Sequence, residues 1–260
     1  MIRDINWYSL AFSYQCAAPF SHIVIDNFFT PEVAEKLSNE FPDFNAGFIN
    51  EHNSPLEIKK TLNHWDRFPA TTYRAFSFFG RPEFVENLKT ISSIDDLWFD
   101  FGLNGGGWHM HTRGGNNNIH LDYNVHPKLG LQRKLNIIVY LTPGWLPEWG
   151  GGLELWSHDE ENHQPKEKVK VVDNLYNRAI IFDTTQNSWH GLPGAITCPE
   201  GTIRKSIAAY YVQPAPAITE QRGRALFAPR DEQKGNKEIQ ELIRLRASVN
   251  QSADVYKYKK

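Results

Sequence analysis

The segment WHMHTRGGNNNIHLDY, residues 108–123, places two side chains able to hold a metal one residue apart. They are His120 and Asp122, separated by Leu121 in a stretch that is predicted to form a strand. Residues i and i+2 of a strand point to the same face, so this imidazole and this carboxylate can bind one ion. The segment therefore predicts a metal site carried by a β-strand.

A third ligand has to come from elsewhere, and His190 in TTQNSWHGLPG (184–194) is the best candidate. Arg204, in GTIRKSIAAYY (201–211), follows fourteen residues later. Two His and one carboxylate leave three open positions, which suits a non-haem Fe(II) that activates dioxygen. Two of these positions can take a chelating 2-oxo acid and one can take O2. A guanidinium makes paired hydrogen bonds to a carboxylate, so Arg204 can hold the far end of 2-oxoglutarate.

At these residues the sequence resembles the prolyl-4-hydroxylase-like branch of the Fe(II)/2-oxoglutarate-dependent dioxygenases, over roughly residues 27–211. The segments RKLNIIVYL (133–141) and GGGLELW (150–156) also resemble motifs of this family. The resemblance implies a mainly β fold with flanking α-helices, built on a double-stranded β-helix, the jelly-roll or cupin-like barrel. It further implies His120, Asp122 and His190 as iron ligands, and Arg204 with Tyr140 on the distal carboxylate of the co-substrate.

One motif departs from the family pattern. The family often has Tyr, two residues and then Gly ahead of His-x-Asp, whereas HTRG (111–114) puts His111 in the place of the tyrosine. We predict that His111 replaces the tyrosine as a co-substrate contact. Ser206 shares the strand face of Arg204 and is assigned to the same co-substrate site.

The resemblance also implies the reaction. Fe(II), 2-oxoglutarate and O2 are expected as cofactor and co-substrates, with ascorbate as a reductant, and the products are succinate, CO2 and a hydroxylated C–H bond. Related halogenases replace the metal-binding acid with a small residue, and Asp122 is retained here, so hydroxylation is expected. A prolyl residue, a proline-like amino acid and another small molecule all stay open as substrates. Loops 113–118, 143–149 and 184–189 would decide between a peptide groove and a closed pocket.

A rival site starts at His109 and His111, because His-x-His on a strand is how cupin metal sites begin. That pattern continues with Glu four or five residues later, where Gly115 and Asn116 stand instead. The alternative function is a cupin-like metal-binding protein with non-redox activity. A catalytically silent binding module is a third reading, disfavoured because all four chemical positions are filled.

Composition narrows the class of protein. The 260 residues are 40% hydrophobic and 22% charged, which suits a folded globular protein, and the net charge of -2 argues against a nucleic-acid or anionic-membrane binder. Only Cys16 and Cys198 occur, so no disulfide framework is expected. No apolar run approaches ~18 residues. We therefore expect a cytoplasmic enzyme that acts on a small-molecule or peptidyl substrate and binds neither nucleic acid nor membrane.

Three parts are predicted along the chain: an N-terminal helix and strand support (1–96), the dioxygenase jelly-roll core (97–213) and a C-terminal helical extension (214–260), which could mediate homo-oligomer contacts. Helices are predicted over 31–41, 82–91 and 238–247, and strands over 20–29, 178–183 and 203–211. Residues 56–80 are expected to form a partly helical wall. Residues 157–169 are expected to form a polar surface loop.

Overall fold

The computed structural model describes residues 1–185, 187–220, 222 and 224–247. The end of the predicted C-terminal extension, residues 248–260, and one position of the 184–189 loop lie outside the described residues. Thirteen strands form one sheet, and every pairing between the described strands is antiparallel. The sheet forms a nearly closed barrel with a few helices, as the predicted fold class requires.

The helices and strands have the following bounds. The helices are α1 (Trp7–Gln15), α2 (Pro31–Asn39), α3 (Ala70–Phe79), α4 (Pro82–Ser92) and α5 (Lys237–Ala247). The strands are β1 (His22–Ile25), β2 (Asn50–Ser54), β3 (Glu57–Leu62), β4 (Trp98–Phe99), β5 (Gly107–His111), β6 (Asn116–Leu121), β7 (Gln132–Tyr140), β8 (Leu153–Asp159), β9 (Gln164–Val172), β10 (Ala179–Asp183), β11 (Trp189–Leu192), β12 (Arg204–Gln213) and β13 (Leu226–Phe227). The main path of the sheet runs β1-β10-β7-β12-β5-β3-β6-β11-β8-β9.

Strands β5, β7 and β12 are buried on both faces, and alternation assigns each face a different task. One face carries the large apolar side chains of the main core, namely Trp108, Met110, Leu135, Ile137, Val139, Ile207, Ala209 and Tyr211. The other face lines the barrel interior with mostly polar side chains, namely His109, His111, Asn136, Ile138, Arg204, Ser206, Ala208 and Tyr210. The helices therefore cover the first face, and the second face lines the cavity that holds the candidate site.

Aromatic side chains just after α2 and just before α3 pack on the outer face of the sheet. Phe41 stacks on Trp108 with ring centroids 5.1 Å apart, and Phe68 meets the same indole edge-on at 5.2 Å. On the other side of the helical layer, Trp7 of α1 packs edge-on against Phe84 of α4. Such pairs add about 0.5–1.5 kcal/mol each beyond the apolar area that they bury.

Segments outside 97–213 complete the barrel. Strand β1 pairs with β10, and β3 pairs with both β5 and β6, which places the β2–β3 hairpin beside the metal-binding segment. Near the other end of the chain, β13 pairs with β6. The division of the chain into three parts stays a prediction, but the barrel wall itself draws strands from all three.

One expectation for local structure is wrong. Residues 157–169 do not form a loop, since most of them belong to the β8–β9 hairpin. Residues 56–80 are partly helical, as expected, but strand β3 precedes helix α3 there. In both segments the strands carry polar side chains on a solvent-exposed or cavity-facing surface, so apolar alternation is missing. Helix α1 was not anticipated at all.

At Gly107 the backbone of β5 lies very close to the end of β3. A Cβ at this position would lie 2.0 Å from the carbonyl oxygen of Leu62, and the backbone has φ +92°. Gly114 has a similar φ of +83°, yet a Cβ there meets nothing within 4 Å.

We expect Gly114→Ala to lower the free energy of unfolding by about 1 kcal/mol through backbone strain alone. Gly107→Ala should lower it by roughly 3 kcal/mol through strain plus overpacking. Urea denaturation measures both, and equal losses would contradict the close approach.

Candidate metal and co-substrate site

The antiparallel pairing of β6 with β11 brings the two histidines together. His190 is the direct cross-strand partner of His120, and their ring centroids are 4.4 Å apart. Asp122 follows β6 immediately. Its Oδ1 lies 3.8 Å from Nε2 of His120, and its Oδ2 lies 3.9 Å from Nε2 of His190. All three side chains are buried.

One ligand atom from each of these three residues lies within 4.8 Å of the others. Among the residues that the structure describes, this is the one group of three or more His, Cys, Asp or Glu side chains that meets this geometry. Oδ2 of Asp122 has no hydrogen-bond partner within the described chain, although it is fully buried. A buried, unpaired carboxylate oxygen is costly. A divalent cation placed between the three ligand atoms would remove that cost, so the residues present fit a metal.

Hydrogen bonds on the far side of each ring fix which nitrogen faces the site. Nδ1 of His120 lies 2.8 Å from the carbonyl oxygen of Asn118, and Nδ1 of His190 lies 2.8 Å from that of Ser188. Each Nδ1–H can donate to this carbonyl, which leaves the Nε2 lone pair free for a metal. Metal-binding histidines are commonly oriented in this way.

The electrostatics of the group favour a neutral His120 beside an ionised Asp122. Burial, followed by the proximity of His190, lowers the pKa of His120 to about 3. Burial alone would raise the pKa of Asp122, but the positive charge of Arg133 and the two histidines outweigh it and leave the pKa lowered. These are the protonation states that coordinate a metal.

Arg133 forms a buried ion pair with Asp122. Its Nη1 lies 3.5 Å from Oδ1 of Asp122, and its guanidinium lies between the rings of Tyr123 and Tyr210, 3.4 Å from each ring centroid. It also donates to the carbonyl oxygen of Asn104. These contacts hold a buried positive charge beside the carboxylate. No motif identified this role in the sequence, because the partner is brought close only by the fold.

The predicted co-substrate residues form a second cluster in the same cavity. Arg204 pairs directly with His111 across the β5–β12 ladder, and Ser206 pairs with Tyr140 across the β7–β12 ladder. The guanidinium of Arg204 lies 5.0 Å from the centroid of the Tyr140 ring. All four side chains are buried. The structure therefore brings together every residue that was assigned to the co-substrate.

Several polar atoms in this cluster lack partners within the described chain. They are the Tyr140 hydroxyl and both ring nitrogens of His111. Burial raises the pKa of Tyr140 to about 12 and lowers the pKa of Arg204, and burial with the charge of Arg204 lowers the pKa of His111. Buried polar groups normally have partners, so these atoms point to a missing ligand. A dicarboxylate such as 2-oxoglutarate supplies acceptors for them.

The glycine motif at 150–152 has a role in placing Arg204. Nε of Arg204 donates to the carbonyl oxygen of Gly151 at 2.7 Å. Gly151 has φ +74°, and a Cβ there would lie 3.0 Å from Cδ of Arg204. The missing side chain lets the guanidinium lie against the backbone, with its remaining N–H groups free for a carboxylate.

His120, Asp122 and His190 line one cavity of about 390 Å³ together with His111, Arg204 and Ser206, and Tyr140 lies behind them beside Arg204. Its walls also include the inward-facing residues of β3, together with Arg224, Phe227 and Arg246 from the C-terminal region. A cavity of this size is typical of small-molecule sites. The open side of the three ligand atoms and the guanidinium of Arg204 therefore share one enclosed space.

The rival His-x-His site lacks a third ligand among the described residues. His111 lies in the co-substrate cluster, and the Nε2 of His109 lies 3.1 Å from the carbonyl oxygen of Gly105. The geometry thus favours the site built on His120.

Residues 106–212 match the family profile of the 2OG-Fe(II) oxygenase superfamily. This segment contains His120, Asp122, His190 and Arg204. This segment is thus similar to the domain that defines that superfamily. Its sequence and fold resemble the prolyl-4-hydroxylase-like members.

Mouse prolyl 3-hydroxylase OGFOD1 is 32% identical over 83 residues, which is 32% of this chain. The chain aligns with 15% of the length of that curated relative. The prolyl-4-hydroxylase of Pseudomonas putida superposes with a TM-score of 0.57 at 13% identity, covering 81% of this chain and 100% of that one. HygX of Streptomyces hygroscopicus, solved with nickel and 2-oxoglutarate bound, gives a TM-score of 0.54 at 12% identity, covering 82% and 88%.

These solved structures establish the fold, and the double-stranded β-helix prediction is confirmed. The superfamily is defined by its use of Fe(II), 2-oxoglutarate and O2, and the donor set described above fits these groups. In the described part of the chain, no helix combines the length and the apolar composition needed to cross a bilayer.

Because Arg133 contacts Asp122, we expect the effect of an Arg133 substitution on the unfolding free energy to depend on whether a metal is bound. Arg133→Met leaves the carboxylate buried without its cation, so we expect the metal-free protein to lose about 3 kcal/mol of unfolding free energy. A divalent metal bound at the carboxylate replaces that charge, so Mn(II) should stabilise the variant more than the wild type. Urea denaturation with and without Mn(II) measures this difference.

Arg178→Met is the matched control, because the Arg178 side chain pairs with Asp26 at 2.6 Å and does not line the cavity. Its effect should be the same with and without Mn(II). An identical gain from Mn(II) in Arg133→Met and in the wild type would contradict the proposed charge relation.

Proposed function

We propose that this protein is an Fe(II)- and 2-oxoglutarate-dependent dioxygenase that hydroxylates a C–H bond of its substrate. His120, Asp122 and His190 are the iron ligands of this proposal. The observation that carries it is the convergence of their ligand atoms within 4.8 Å, open toward the cavity that also holds Arg204. The match of residues 106–212 to the superfamily profile supports the same activity.

The chain's own residues prepare the site for this chemistry. Arg204 binds the distal carboxylate of 2-oxoglutarate, while Tyr140, His111 and Ser206 line the space around it. Bound Fe(II) would activate O2, which oxidises 2-oxoglutarate to succinate and CO2 with one oxygen atom and hydroxylates the substrate C–H bond with the other. Leu153, Leu155, Ile180 and Phe182 form an apolar cluster around Tyr140 that keeps water from the inner end of the barrel.

The substrate is proposed more broadly. A prolyl residue of a peptide is one candidate, supported by the likeness to two proline hydroxylases. A proline-like amino acid or another small molecule is the other. We further propose ascorbate as the reductant and a cytoplasmic location, which is in keeping with two free cysteines. We propose that the protein binds neither nucleic acid nor membrane and that α5 mediates self-association.

Uncoupled turnover tests the iron ligands. Purified protein with Fe(II), O2 and ascorbate should convert 2-oxoglutarate to succinate slowly without substrate. His120→Ala removes one ligand, so we expect succinate formation to fall at least about a hundredfold. His109→Ala should keep most of it, because His109 is not a ligand. Turnover that survives His120→Ala and disappears with His109→Ala would move the metal to the rival site.

Co-substrate binding tests Arg204. Arg204→Lys keeps the charge but loses the two-pronged geometry, so we expect the KM for 2-oxoglutarate to rise roughly tenfold. Lys205→Met is the control, because its side chain lies on the other face and donates to the carbonyl oxygen of Ser38 at 2.9 Å. A KM that rises equally in both variants would contradict a direct contact with the co-substrate.

A further inference from the structure

Strand β3 lines the cavity with polar and charged side chains that are assigned neither to iron nor to 2-oxoglutarate. Glu57, Lys59 and Thr61 alternate along this strand and line the cavity. Lys60 points to the opposite face, where its Nζ lies 4.5 Å from the centroid of the Phe44 ring. The strand therefore presents one ammonium group to the cavity, that of Lys59.

A buried carboxylate holds this ammonium in place. Nζ of Lys59 lies 2.9 Å from Oε2 of Glu57, and the Lys59 side chain is only 14% exposed. Arg246 of α5 binds the other oxygen of Glu57 at 2.5 Å. Two cations therefore share one carboxylate, which leaves one positive charge in excess. An ammonium has three N–H donors, and Glu57 accepts from one face only, so donors remain for a ligand.

The net charge of the whole cavity is also positive. Among the described residues, five basic and two acidic side chains line it. The charges of Fe(II) and of the 2-oxoglutarate dianion cancel, so the loaded cavity keeps its positive excess. Arg133 faces Asp122 and Arg204 is assigned to the co-substrate. Lys59 and Arg246 share the single carboxylate of Glu57, so part of this excess lies on the wall that carries Lys59.

Lys59 is also within electrostatic reach of the reacting region. Burial is the main cause of the lowered pKa values of His109 and His111, and the positive charge of Lys59 contributes to both. The amide oxygen of Asn117, which also lines the cavity, is buried without a partner in the described chain.

We propose that Lys59 binds an anionic group, a carboxylate or a phosphate, on the substrate of this site. This inference rests on the proposed function and narrows its substrate class to acids. A charge-assisted bond to an ammonium is stronger than a neutral one and fixes the position of the molecule that carries it. Glu57 acts as a positioning residue, since it holds the ammonium toward the cavity.

Acetate and inorganic phosphate are the probes, titrated at constant ionic strength into the full chain labelled with ¹⁵N. Saturable shifts of the amide signals of β3 are expected in the wild type, in Lys60→Met and in Lys59→Arg. In Lys59→Met the apparent dissociation constant should rise by about tenfold or more. Arg204 also attracts these anions, so the decisive response is the part that Lys59→Met removes and Lys60→Met keeps.

The outcomes separate cleanly. A response to acetate alone assigns a carboxylate, a response to phosphate alone assigns a phosphate ester, and a response to both assigns recognition by charge. No saturable response in the wild type, or equal affinity in Lys59→Met, overturns the proposal. The retained affinity of Lys59→Arg separates loss of charge from loss of fold.

A second measurement separates this inference from the proposed function. Mn(II) binding is followed by its electron paramagnetic resonance, and N-oxalylglycine fills the co-substrate position. The phosphate ³¹P or acetate methyl signal should then broaden in the wild type and not in Lys59→Met. Anion binding without broadening overturns Lys59 as a substrate anchor. Failure of Mn(II) to bind contradicts the proposed function, while the metal-free amide titration still decides the anion site.

Discussion

The register between β6 and β11 is the constraint on which the site depends. Direct pairing of His120 with His190 turns both imidazoles to the barrel interior and brings them within reach of Asp122. The neighbouring Trp189 is buried on the other face, in a small apolar cluster with Ile119, Leu121 and Ala228. A slip of one residue would exchange Trp189 and His190 between the faces. The burial of that indole therefore fixes the geometry of the three ligands.

The distribution of charge follows from this arrangement. A metal-binding carboxylate inside a barrel needs a cation before the metal arrives, and Arg133 supplies it between two tyrosine rings. Arg204 and Lys59 are two further cations of the cavity, one held by the carbonyl oxygen of Gly151 and one by Glu57. Specific partners place these three cations, and we expect the cavity to offer separate positions for a metal, a dicarboxylate and a further anion.

Local spacing was enough to place His120 and Asp122 together, because i and i+2 on a strand share a face, whereas His190 was chosen as the best candidate from a distant segment. The order of His120, Asp122, His190 and Arg204 carried the family resemblance as well. Arg133 and Lys59 could not be predicted, because a basic residue on a polar strand looks the same whether it faces solvent or a cavity. The β8–β9 hairpin was missed for a related reason. Most of β9 is exposed, so selection for apolar alternation is weak there.

The order of strands has a further consequence for how the chain reaches its native state. His120 and His190 are 70 positions apart, and β1 pairs with β10 across more than twice that separation. Most neighbours in the sheet are likewise distant in sequence. Chains with such high contact order fold slowly, since long loops must close before the pairings stabilise them. The candidate ligand triad can therefore form only when β6 and β11 meet, and nascent chains that end before β11 cannot form it.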